Sequence, residues 1–103
     1  QNDEKSIIII QSDHGSGFDI DWKNPTDPMI LQRLSILNAY YVPEISENEF
    51  DEYITPVNSF RIIFNNYFDA GYEILEDKNY WNNGHKPFEI HDVTEKIRSN
   101  IKK

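Results

Sequence analysis

Four consecutive isoleucines, Ile7 to Ile10, form the most apolar run in the chain, and the run ends abruptly in Gln11-Ser12-Asp13-His14-Gly15-Ser16-Gly17. A run without polar alternation reads as a short strand buried on both faces, the habit of a parallel sheet in an α/β domain. Residues 18–22 alternate apolar and acidic positions, and Asn24-Pro25-Thr26-Asp27-Pro28 is dense turn chemistry. Met29 to Arg33 reads as one helical turn or an irregular link. Residues 34–42, rich in aliphatic, β-branched and aromatic side chains and stopped by Pro43, predict a second strand. Residues 44–52 hold five acids and lack the glycine that an EF-hand loop needs at its sixth position, so they read as a solvated loop.

The clearest local pattern follows. Thr55 suits an N-cap and Pro56 the first helical position, and Val57, Phe60, Phe64 and Tyr67 recur at three- and four-residue steps. Ile62, Ile63 and Phe68 widen the apolar side, which predicts a helix packed on a sheet, ending near Phe68 with Gly71 as a left-handed stop. Asn82-Asn83-Gly84 marks a tight turn, and Phe88 to His91 alternates as an edge strand. Asp92-Val93-Thr94-Glu95 has the spacing of a capping box, with Val93, Ile97 and Ile101 on one face of a final helix.

Composition narrows the functional classes. At 103 residues the chain makes at most one small domain, able to bury roughly 60–65% of its unfolded surface. Its formal net charge of −8 argues against nucleic acid or an anionic membrane surface as partner. The absence of cysteine excludes disulfides, thiolate metal sites and cysteine nucleophiles. No apolar run approaches the roughly 20 residues of a membrane span. A chain that opens so close to its most apolar strand reads as a piece of something larger.

Candidate chemistry centres on Asp13 and His14, a carboxylate beside an imidazole at a strand's carboxyl end, where open α/β sheets bind ligands. The two suit a divalent ion (Ca, Mg, Mn or Zn), with ligand type unable to choose among them. Asp19 and Asp21 lie near in sequence and are possible oxygen ligands, though acids so spaced more often form a solvated face. His85 and His91 are weaker candidates for substrate contact or an added ligand.

An apolar strand running into Ser-Asp-His-Gly resembles the late metal-binding motif of sulfatases, within the wider alkaline-phosphatase-like group of hydrolases and phosphoglycerol transferases. The resemblance spans roughly residues 6–94, including the returning strand near Pro43 and the segment 54–61, and is specific over residues 7–17. It implies an α/β fold in which residues 1–103 are the carboxyl-terminal portion of a sulfatase-like catalytic domain. It also implies that Asp13 and His14 bind a divalent metal and that the parent hydrolyses sulfate or phosphate esters. The nucleophile it implies lies upstream; no Ser or Thr here stands in that position, so none of these residues is catalytic and the piece alone is expected to be inactive. The missing amino-terminal part of the parent, or a second copy, is the expected partner. An extracytoplasmic parent, with membrane contact only through upstream segments, follows from the same resemblance. The rival reading is a non-catalytic acidic α/β interaction module presenting Tyr40, Tyr41, Tyr80 and Trp81 to a protein.

Overall fold

A computed structural model describes residues 5–101 as a mixed α/β chain of three α-helices and two small antiparallel sheets. The described residues divide into two compact units: one comprises residues 5–10 and Asn38–Asp77, the other Gln11–Leu37 and residues 78–101.

In the first unit β1 (Ile8–Gln11) pairs with β2 (Asn38–Tyr41). The isoleucine strand is not covered on both faces. Ile7 and Ile9 pack with Tyr40 and Val42 onto Ile45, Ile62 and Ile63, while Ile8 and Ile10 are 50% and 56% exposed. The physical reason is the size of the sheet: two strands offer one face to the core, and the pleat turns alternate side chains outward. The second strand is also shorter than residues 34–42, because Leu34 ends a helix and Ser35 caps it.

That core leans on α2 (Pro56–Phe68), which begins after Thr55 as its sequence predicts. Thr55 does not cap it through its side chain; its N–H and hydroxyl both donate to Asp77 Oδ1, at 2.7 and 2.8 Å. The helix stops at Asp69, which takes the left-handed conformation itself (φ 50°), two residues before Gly71. Its buried face is also not the one that the aromatic spacing picks out. Asn58, Ser59, Ile62 and Ile63 are buried, whereas Val57, Phe60, Phe64 and Phe68 lie outward. Three polar side chains of α2 explain the choice, because they bind the backbone of the returning segment. Asn58 donates to Leu75 O and accepts from Leu75 N–H, Asn65 does the same with Tyr72, and Arg61 Nη1 donates to Glu73 O between them. Spaced at i, i+3 and i+7, the three lie along one side of the helix and bond the backbone of residues 72–75.

The second unit packs α1 (Asp27–Leu34) and α3 (Thr94–Ile101) around Ile20, Ile30, Trp81, Val93 and Ile97. Residues 29–33 are therefore part of a full eight-residue helix, capped by Thr26 Oγ1 accepting from Met29 N–H and started with Pro28 in its first turn. A second small sheet pairs β3 (Tyr80–Trp81) with β4 (His91–Asp92), Tyr80 opposite Asp92 and Trp81 opposite His91. Residues 88–90 stay outside that ladder, and Phe88 is 96% exposed. At the head of α3 the Asp92 side of the expected capping box forms, its Oδ1 accepting from Thr94 N–H at 3.0 Å, while Glu95 lies 3.9 Å from Arg98; the Thr94 hydroxyl accepts from Asn79 N–H. Hydrogen bonds from Thr94 hold the Asp92 carboxyl below the ordinary carboxylate range.

The aromatic set of the interaction-module reading does not form a surface. Trp81 is core, stacked on Trp22 with ring centroids 5.5 Å apart, and Tyr40 is half-buried against Phe50 with its hydroxyl on Ser59. Only Tyr41 and Tyr80 are exposed.

Asn58→Ala removes both bonds to Leu75 and takes a buried, fully paired amide out of the helix face. Each bond is worth about 0.5–1.5 kcal/mol net, so the substitution is expected to lower the thermal midpoint by several degrees. Circular dichroism melting checks this, with Phe68→Ala as the exposed control that leaves the midpoint nearly unchanged.

Candidate functional site

Asp13 and His14 lie on the bend that follows β1, in the second unit. The loop is fixed by its neighbours. Ser12 N–H donates to Leu37 O and Ser12 Oγ accepts from Leu37 N–H, both at 2.9 Å. Gly15 N–H donates to Arg33 O at 2.7 Å. The backbone contact at Gly15 is so close that a Cβ there would fall 2.1 Å from Gln32 O and 2.5 Å from Ser35 O. Ser12 and Gly15 thus clamp the two residues between them.

Asp13 and His14 project from the clamp into solvent, with side chains 86% and 50% exposed, and His14 Nε2 lies 3.5 Å from Asp13 Oδ2. Two atoms each about 2.1 Å from a common ion in a tetrahedral site are about 3.4 Å apart, so this spacing fits a shared divalent metal. A ligating Nε2 needs its proton on Nδ1, and Nδ1 lies 2.8 Å from Gly15 O, an acceptor that would fix that tautomer. Arg33 Nη1 lies 2.7 Å from the same Nδ1 and donates to Gly15 O at 3.0 Å. A guanidinium only donates. Nδ1 therefore either accepts from Arg33 or donates to Gly15, and in the second state Arg33 keeps the Gly15 carbonyl.

No group of three His, Asp or Glu side chains able to hold a metal occurs among the described residues, so Asp13 and His14 form at most half of a site. Asp21 is engaged in its own turn, accepting from Lys23 and Asn24 N–H, and Asp19 occupies a left-handed turn position (φ 57°). His85 sits in the 82–87 turn, its N–H on Asn83 Oδ1. His91 belongs to β4, with Nε2 3.4 Å from Glu89, and lines a cavity of about 530 Å³ with Lys23, Trp81, Asp92 and Lys96. Neither histidine joins the Asp13–His14 pair. Arg33, which does, escapes the sequence reading because 19 residues separate it from His14; the helix start at Thr26-Asp27-Pro28 was the available signal that it ends a helix.

Gly15→Ala forces a methyl group into backbone carbonyls that cannot yield. Overpacking typically costs about 1–3 kcal/mol, and the substitution is expected at or above that range. At Gly17 the nearest atom is the flexible Arg33 Nη1 at 3.3 Å, so Gly17→Ala is expected to cost less than about 1 kcal/mol. Parallel denaturant melts compare the two.

Comparisons with protein-family models, with curated proteins and with solved structures find no match to this chain.

Proposed function

We propose that the chain is the carboxyl-terminal portion of a sulfatase-like, metal-dependent hydrolase of sulfate or phosphate esters, to which it contributes Asp13 and His14 as ligands of a divalent ion. The observation that carries this reading is the 3.5 Å approach of Nε2 and Oδ2 on a loop whose backbone is fixed on both sides. Asp13 would hold the ion by a hard anionic oxygen, and His14 by Nε2 in the state in which Nδ1 donates to the Gly15 carbonyl. The ion, when bound, would polarise an ester oxygen and favour an oxyanion nucleophile. The alkaline-phosphatase-like fold belongs to this proposal, as does transfer of phosphoglycerol by the same ligands.

The apolar surface supports a partner. In the first unit Ile8, Ile10 and Tyr41 are exposed beside the sheet, and Phe60, Phe64 and Tyr72 line a shallow groove of about 340 Å³. Faces of this kind suit burial against the rest of a larger catalytic domain, or against a second copy.

Manganese titration followed by calorimetry tests the ligand assignment. Loss of an outer partner of a metal ligand already costs about 10–100-fold in affinity, so Asp13→Ala and His14→Ala are each expected to weaken binding by at least that much. Equal binding by wild type and both variants overturns the reading. The isolated chain is expected to turn over neither aryl sulfate nor aryl phosphate, since it lacks a positioned nucleophile. Size exclusion with light scattering is expected to give a mass above 12.2 kDa for the isolated chain; a monodisperse monomer would count against the apolar faces as docking surfaces.

A further inference from the structure

Arg33 is anchored at one corner only. Nη1 meets Gly15 O and His14 Nδ1, and the guanidinium lies over Trp22 at 5.3 Å from the ring centroid. No described residue accepts a hydrogen bond from Nη2 or Nε, and no carboxylate among the described residues pairs with Arg33, although the chain carries 18 acids against 10 lysines and arginines. The side chain is half-buried and held at Nη1 and over Trp22, and its remaining N–H donors form an edge without an acceptor among the described residues, beside Asp13 and His14.

We propose that this edge is an oxyanion-binding site: Arg33 takes a tetrahedral sulfuryl or phosphoryl group, placing it next to the Asp13–His14 pair. The inference rests on the ester-hydrolase reading above and adds to it the residue that holds the substrate's anionic head. The chemistry favours arginine. A guanidinium edge offers two parallel N–H groups that match two oxygens of a tetrahedral anion, and its charge does not titrate. Trp22 and the Gly15 carbonyl restrict where the guanidinium sits, and binding gains where donors are partly ordered in advance. The acidic balance of the chain makes the missing carboxylate partner informative. An arginine in such surroundings ordinarily finds an acid, and here the nearest polar contacts are a carbonyl and an imidazole.

Inorganic sulfate and inorganic phosphate, titrated separately into the metal-free chain and followed by nitrogen-15 NMR, test the site. The expected result is a saturable shift of the Arg33 Nε–H, the Gly15 and Gly17 amides and the Trp22 indole, with millimolar affinity. The two anions report which head group is preferred. Arg33→Met, which keeps an aliphatic stem over Trp22, is expected to abolish the shifts, and Arg33→Lys to weaken binding at least about fivefold by loss of the paired donors. Retention of the wild-type shifts in a folded Arg33→Met chain overturns the proposal. Should Arg33→Met fail to fold, wild-type affinity in Arg33→Lys does so instead. The metal reading is separated by Asp13→Ala. Anion shifts that persist there support the Arg33 site whatever becomes of manganese binding, whereas shifts lost with Asp13 in a folded chain overturn it.

Discussion

The second unit depends on the packing of the Gly15 backbone against the carbonyls of Gln32, Arg33 and Ser35 at the end of α1, where no side chain fits. From that contact follow the hydrogen bond from Gly15 N–H to Arg33 O and the reach of the Arg33 side chain back to Gly15 O. The seating of Trp22 under the guanidinium and against Trp81 completes the set. The same helix supplies Ile30 to the core beneath. A helix end is a natural place for such a dock, because its last carbonyls lack partners within the helix and accept from whatever N–H is brought to them. Arg33 in the last turn also faces the negative end of the helix dipole, which favours a cation there.

The first unit solves a different problem with different means. Its returning segment, residues 72–75, is irregular and exposed, and its backbone takes hydrogen bonds from α2 side chains. Asn58, Arg61 and Asn65 provide them from one stripe of α2. The consequence is a helix with two functions on two faces. The polar-and-aliphatic stripe is buried, and the aromatic stripe, Phe60, Phe64 and Phe68 with ring centroids about 6 Å apart, is left to solvent.

These devices explain which parts of the molecule could be read from sequence. The start of α2 was legible because Thr55-Pro56 is local chemistry, and so was the adjacency of Asp13 and His14 beyond an apolar strand. The buried face of α2 was not, because hydrophobic periodicity ranks phenylalanine above asparagine. What decides the face is hydrogen bonds to residues 17 positions further on in the case of Asn58. The two-sided burial expected of the isoleucine run failed for a related reason: side-chain character says how apolar a strand is, whereas the number of neighbouring strands decides how many faces are covered. Arg33 was invisible as part of the site, since its contact with His14 exists only once α1 has formed.

The Ser-Asp-His-Gly run divides sharply by what each residue does for the fold. Ser12 holds Leu37 through backbone and hydroxyl, and Gly15 admits the helix end; both are required by packing. Asp13 caps no helix and is almost wholly exposed, and an exposed carboxylate near one imidazole adds little stability, since water screens the pair. His14 fills no part of the core. Among the described residues His14 meets the fold only through Nδ1, at Gly15 O and Arg33 Nη1, and its Nε2 faces Asp13. A carboxylate and an imidazole thus stand side by side on a loop whose clamp is made by Ser12 and Gly15, and the Arg33 guanidinium reaches the imidazole from the last turn of α1.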